Sequence, residues 1–228
     1  MGQWIPIESN PQVWNKYVSH LGVDTDRWNY SDIWGLDEEL LAFIPQPVLA
    51  VLLLFPITAV YEKYRKDEEA RIRKDGQTVS DKLYFTKQTI ANACGTIGIL
   101  HSLANNVDIL QIDANGGLAR MLARTANKSP DDRANELELD QDLAKAHEAS
   151  SREGQSRVPD AAEDVDLHFV CFVLKDGDLY ELDGRKPFPI NYGPCTDLLS
   201  GAAIIIRGFM DRQPDSVNFN MISLGPKS

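Results

Sequence analysis

Three residues able to break an acyl bond stand where local pattern could bring them together. Cys94 sits in QTIANACGTIG (Gln88 to Gly98), among small residues where a helical pattern begins. A thiol in the first turn of a helix meets the positive end of the peptide macrodipole, which lowers its pKa and favours the nucleophilic thiolate. His168 and Asp183 flank Asp176-Gly177, a two-residue turn signal between the β-rich runs of LHFVCFVLKDGDLYELDG. With that pair as the turn, Lys175 faces Asp178 and Asp183 lies opposite Val170. Side chains alternate faces along a strand, so His168 and Asp183 become diagonal neighbours roughly 7 Å apart by backbone. An imidazole and a carboxylate can hydrogen-bond across that gap. A slip of one residue in the turn would separate them. A histidine held by an aspartate is the general-base half of a nucleophilic triad. Gln88, just upstream of Cys94, could donate its side-chain amide to a developing oxyanion, with the backbone N–H of Cys94 as second donor. Gly95 and Gly98 leave room for a substrate backbone or a neighbouring strand.

Each residue also has an ordinary reading. A helical cysteine is more often a packing group than a nucleophile, a strand histidine more often structural than catalytic, and a strand aspartate usually serves a turn or cap. The joint arrangement says more than any one member, and on residues alone both readings stand. His101, two turns further up the same helix at about 10 Å, is too far to serve Cys94 as a base. His20 and His147 have no carboxylate placed by any register. Cys171, in an apolar strand, reads as core, and Cys195, in a loop after Pro194, as a bystander.

The elements that must position these groups can be read in turn. NPQVWNKYVSHLGV reads as a first helix, capped by Asn10, with Pro11 in its first position and Val13, Tyr17 and Leu21 along one face before Gly22. WGLDEELLAFI is expected to be a short second helix. VLAVLLLF does not alternate, so it reads as a strand buried on both faces. Ala59 to Gly76 is charged and helical in pattern, with a solvated face, and Gln88 to Asn105 reads as the helix that carries the thiol. Two further helices are expected over Gly117 to Asn127 and Ser129 to about Glu148. The segment HEASSREGQSRVPDAAEDVD (His147 to Asp166) has almost no apolar periodicity, and a connection of that length is expected to be a functional loop. The hairpin follows, then a buried helix over LSGAAIIIRGFMDRQPD and a final strand, VNFNMISL. Helices precede strands and the strong strand pair is antiparallel, so the class is α+β.

Composition bounds the function. The 228 residues are 43% hydrophobic and 25% charged, as in an ordinary globular protein of one domain. The net charge of −11 disfavours nucleic acid and favours a basic partner. Three cysteines without a CxxC spacing fit neither a disulfide framework nor a structural metal site. They point to reduced thiols in a cytosolic or nuclear compartment, with the cytoplasm expected and no metal or cofactor. The start, MGQWIPIESN, lacks a signal-peptide pattern, and Pro6 spoils a myristoylation motif. The apolar run Val48 to Ile57 is too short to span a bilayer, so no membrane role is expected.

QTIANACGTIGILHSLAN and DLHFVCFVLKDGDLYELDGRKPFPINYG resemble the nucleophile motif and the His–Asp motif of the ubiquitin C-terminal hydrolases, a family of cysteine proteases. WIPIESNP and PQPVLAVLLLFPIT resemble its short single-domain isozymes without a C-terminal regulatory extension, and the likeness covers essentially the whole chain. The resemblance implies one domain over 1–228, an antiparallel sheet flanked by helices in a papain-like architecture, and a knotted backbone. It assigns Cys94 as nucleophile, His168 as base and acid, Asp183 as the residue that orients it, and Gln88 to the oxyanion hole. The crossover loop over the site corresponds to about 147–166 and limits leaving groups to small adducts or short peptide extensions. Glu8 in the N-terminal segment, Asp32 in the loop after the first helix, Asp166 and Leu167 at the crossover-loop end, and Val217 in the late strand would contact the substrate. The implied partner is ubiquitin or a ubiquitin-like protein, bound by a monomer. Two other readings are a ubiquitin-binding protein that stabilises free ubiquitin with little turnover, and a general papain-like peptidase.

Overall fold

The structure, a computed structural model, describes residues 4–154 and 166–227. The Asn10 side chain accepts the Gln12 N–H at 2.9 Å and Pro11 occupies the first helical position, which starts α1 (Pro11–His20). β1 (Trp28–Asp32), α2 (Glu38–Leu41) and β2 (Ala50–Pro56) follow. Thr58 accepts the Tyr61 N–H to cap α3 (Ala59–Asp75), and Gly76, at φ 77°, ends it. The chain then builds α4 (Cys94–Ala104), α5 (Val107–Leu110), α6 (Gly117–Thr125), α7 (Pro130–Glu138) and α8 (Gln141–Ser151). The last elements are β3 (Leu167–Lys175), β4 (Asp178–Leu182), β5 (Ile190–Pro194), α9 (Leu198–Asp211) and β6 (Asn220–Pro226).

The strands form one sheet in the order β1-β6-β2-β3-β4-β5, every neighbouring pair antiparallel. Helices cover both faces, so the class is α+β with a flanked antiparallel sheet. The unalternating VLLLF run has a physical reason. Ala50 and Leu52 enter one core with α1 and α4, whereas Val51, Leu53 and Phe55 enter the other with α3 and α9. β3 divides the same way, with Phe169, Cys171 and Val173 on the first side and Val170 and Phe172 on the second. Each of the Val, Leu and Phe side chains among them contributes roughly 1.5–3 kcal/mol of transfer free energy when fully buried.

Asp176 (φ 50°) and Gly177 (φ 88°) both adopt positive φ, the requirement of a type I′ turn. The hairpin pairs Lys175 with Asp178 through to Cys171 with Leu182, the register that the turn signal implies.

Several sequence expectations need correction. The thiol-bearing helix begins at Cys94 and not at Gln88, because Asn92 takes φ 63° and ends any helical path before it. The pattern from Ser129 to Glu148 is two helices, since the Asp140 carboxylate accepts the N–H groups of Asp142 and Leu143 and starts α8 afresh. The expected loop at 147–166 begins later, as His147 lies buried inside α8, which runs to Ser151. Residues 155–165 of that segment lie outside the described residues, and so does the path needed to trace a knot. Asp32 ends β1 and does not lie in a loop, and Val217 precedes β6 and is not part of it.

Candidate active site

β3 runs alongside β2 as far as Leu167 opposite Pro56, but its last partner on β4 is Cys171 opposite Leu182. Beyond that pair β4 no longer pairs with β3, and α4 lies across the sheet face that carries Leu52 and Phe169, with Cys94 at the level of the Phe169 backbone. The helix fits there because two positions lack side chains. A Cβ at Gly95 would stand 2.3 Å from Ile7 Cγ2 and 3.4 Å from the Phe169 ring, and one at Gly98 3.1 Å from Leu52 Cδ2. The segment before the helix is fixed to the turn after β4 by the Gln88 N–H, which donates to the Gly184 carbonyl at 2.8 Å.

Cys94 is the first residue of α4, so its sulfur lies where the orphan N–H groups of the helix converge. The His168 imidazole and the backbone N–H groups of Phe169 and Gly95 lie close enough to the sulfur to stabilise its anion. His168 is buried, and its Nε2 stands 2.7 Å from Asp183 Oδ1, which leaves Nδ1 for the sulfur. Asp183 is wholly buried and otherwise satisfied. Oδ1 also accepts the Arg185 N–H at 2.8 Å, and the Tyr61 hydroxyl donates to Oδ2 at 3.2 Å.

The charges in this row sustain one another. Burial pushes His168 down, but the Asp183 carboxylate and the Cys94 sulfur outweigh it and raise the imidazole to about 9. Burial pushes the Cys94 thiol up, yet hydrogen bonding and attraction from His168, with the two backbone N–H groups, leave it below its ordinary value. Burial raises Asp183 too, and His168 and Lys186 reverse the sign and hold it far below the carboxylate range. Both shifts run toward a thiolate beside an imidazolium, the pair that nucleophilic thiol chemistry uses. By contrast, the buried thiol of Cys171 is pushed well above its ordinary value by desolvation alone.

The structure thus brings Cys94, His168 and Asp183 together. Gln88 lies in the segment leading into α4. Its side-chain N–H donates to Ile90 O at 3.1 Å, and its Oε1 is buried without a hydrogen-bond partner among the described residues. Glu8 accepts from the Asn10 side chain at 3.0 Å and packs against Gly154. Asp32 is half-buried, and burial raises its carboxyl against a hydrogen bond from Asn220. Leu167 is half-buried, Asp166 is exposed with its carbonyl bound to the Ile57 N–H at 2.6 Å, and Val217 is 92% exposed.

One residue of the site went unnoticed in the sequence, and one that was set aside has a use. Tyr61 was hidden in a helix that reads as solvated, although Tyr61, Tyr64, Glu68 and Ile72 follow i, i+3, i+7, i+11 spacing and mark its inner face. His147 has a structural place. Its Nε2–H donates to Ile5 O and its Nδ1 accepts the Thr96 hydroxyl, each at 2.7 Å, which pins the N-terminal segment to α4 and α8. His101, stacked on Phe85, is buried too, and desolvation lowers both histidines to about 4. Among the described residues, no group of three or more His, Cys, Asp or Glu could hold a metal ion, and no helix is long and apolar enough to cross a membrane.

Comparison with known proteins gives one answer. A family model described as ubiquitin carboxyl-terminal hydrolase, family 1, matches residues 4–211. A probable ubiquitin carboxyl-terminal hydrolase of Dictyostelium discoideum is 46% identical over 226 residues, 98% of this chain and 88% of that one. Ubiquitin carboxyl-terminal hydrolase isozyme L1 of Homo sapiens is 45% identical over 221 residues, 96% of each chain. Among solved structures, the catalytic domain of Trichinella spiralis UCH37, bound to ubiquitin vinyl methyl ester, superposes with a TM-score of 0.76 at 22% identity, over 99% of this chain and 97% of that one. That last likeness is one of fold.

Proposed function

The chain belongs to family 1 of the ubiquitin carboxyl-terminal hydrolases, cysteine-type ubiquitin hydrolases, and from that membership we propose that it cleaves adducts from the C-terminal glycine of ubiquitin with Cys94, His168 and Asp183. The observation that carries this reading is the row from the Cys94 sulfur through His168 to Asp183, half-buried at the thiol and buried beyond it, where α4 starts beside β3. The thiolate attacks the scissile carbonyl. The negative oxygen that develops is met by the N–H groups at the start of α4, and the unengaged amide hydrogen of Gln88 is the proposed second donor. His168 gives its proton to the leaving amine, an acyl-enzyme thioester remains, and His168 then takes a proton from the water that hydrolyses it. Asp183 keeps the ring oriented throughout and stabilises it whenever it carries the extra proton.

Ubiquitin is the proposed partner of a monomer, with Glu8, Asp32, Asp166, Leu167 and Val217 as contacts. The net charge of −11 suits a basic polypeptide tail and would speed encounter. The limit to small adducts or short peptide extensions is supported by the resemblance alone. The chain is read as one domain over 1–228.

Ubiquitin carrying a C-terminal fluorogenic amide tests the assignment. Turnover by the wild type that disappears in Cys94→Ala, while ubiquitin still binds, is the expected result. Equal release from both proteins would remove Cys94 from its role, and binding without turnover in the wild type would favour a protein that stabilises free ubiquitin.

A further inference from the structure

Beside the active-site row lies a second buried set of charges that the chemistry leaves unused. Three residues past Asp183, Lys186 turns its ammonium inward, with a side chain only 3% exposed. Its Nζ is 2.8 Å from Glu68 Oε2 on α3 and 2.6 Å from Glu181 Oε1 on β4, both carboxylates being equally hidden. Tyr64 donates to Glu68 at 3.0 Å and Tyr192 to Glu181 at 2.7 Å, so each carboxylate has a hydroxyl as well as the ammonium. Burying these three charges is costly, and a well-packed apolar trio in such a place is often no less stable. Stability is therefore a weak reason for the cluster.

Its position suggests another reason. The Lys186 N–H donates to the Asp183 carbonyl at 2.9 Å, and the Arg185 N–H donates to Asp183 Oδ1, the oxygen that faces His168. The conformation of residues 183–186 therefore sets where the carboxylate points. Arg185 itself turns outward to Glu62, so the inward anchor of this turn is the Lys186 side chain. We propose that Lys186 is a positioning residue: its ion pairs to Glu68 and Glu181 clamp the 183–186 turn between α3 and β4 and hold the Asp183 carboxylate in register with His168 Nε2. The proposal rests on the catalytic reading of Asp183 and His168 given above. The other titratable and charged groups near this turn and the imidazole are Tyr61 and Arg65 of α3, Arg185 with its partner Glu62, Cys94 and the buried His101.

The test is the double variant Lys186→Met/Glu181→Gln, which removes one positive and one negative charge and so leaves the local net charge unchanged. A triple variant with Glu68→Gln as well makes the cluster wholly neutral and serves if the double variant does not fold, as judged by thermal unfolding. On the fluorogenic ubiquitin amide, kcat is expected to fall about tenfold or more with KM near the wild-type value, as for a misplaced catalytic group. The alkaline limb of kcat/KM should move from about 9 toward the free-histidine value of ~6.5 as the carboxylate loosens. A folded variant with wild-type kcat and an unmoved alkaline limb would overturn the proposal, whatever its melting temperature. So would an upward shift of the limb, which would mark a field effect without repositioning. Failure of the underlying reading is distinguishable, because it appears as wild-type turnover in Cys94→Ala.

Discussion

Replacing Asp183 by Asn removes one charge and little volume, and it should disarm the thiol from a distance. His168 lies at about 9 in the folded protein against an ordinary 6.5. That gap corresponds to roughly 3 kcal/mol, at about 1.4 kcal/mol per pKa unit. It is a net value, since burial acts in the opposite direction, so loss of the Asp183 charge should carry His168 below 6.5 and leave it neutral at pH 7. The largest opposing influence on Cys94 is then its own burial, and the thiol should titrate above its ordinary value of 9.0. A group with a pKa above 9 is about 1% thiolate or less at pH 7, so alkylation by iodoacetamide at that pH should slow about a hundredfold. The assay is the inactivation rate constant from pH 5 to 10, with thermal unfolding to verify the fold. Wild type should show a plateau through neutral pH, and the variant a single rise on the alkaline side. Coincident profiles would refute the coupling of the three residues.

Other consequences follow from the same geometry. Gly184→Ala would place a Cβ 2.8 Å from Gln88 Cβ and 3.0 Å from its backbone N, so the variant should lose about 1–3 kcal/mol in urea unfolding and lose turnover as the Gln88 segment shifts. Stability should fall as pH drops below about 6.5, while on the alkaline side the raised His168 and the lowered Cys94 act in opposite senses. The raised His168 contributes fully below pH 6.5, a contribution lost as pH climbs toward about 9. The lowered His101 and His147 act in the opposite sense, contributing fully above 6.5 and losing it as pH falls toward about 4. Urea unfolding from pH 4.5 to 9 reads this curve. His147→Gln should remove about half of the acid-side slope, roughly 1.4 kcal/mol per pH unit, and an unchanged slope would contradict the assignment.

How far the sequence reveals this molecule varies by element. The hairpin was legible because one dipeptide, Asp176-Gly177, demands two positive φ angles, and the register follows from it. α1 was legible from a cap and a proline. β1 was not, because WNYSD sends only Tyr30 into the core and so shows little alternation. β5 was missed because INYGP carries a glycine at φ 88° and ends in proline, both adverse to a strand and both tolerated at a sheet edge. The start of α4 was blurred by good helix formers upstream, and only the left-handed Asn92 in the fold separates them. The row from His168 to Asp183 could be reasoned from register, but its contact with Cys94 could not. That contact depends on where β4 leaves β3 and on two glycines that admit the helix, facts of packing between segments far apart in the chain. Lys186 reads in sequence as one more surface charge, since pattern alone does not reveal two buried carboxylates waiting for it.

The central claim is that one sulfur of three, the one at the start of α4, is a nucleophile toward the end of ubiquitin. Treatment with ubiquitin vinyl methyl ester, followed by peptide mapping in a mass spectrometer, tests it. The account predicts a single ubiquitin on Cys94 and no adduct in Cys94→Ala. Modification of Cys171 or Cys195, or an adduct that persists in Cys94→Ala, would contradict it.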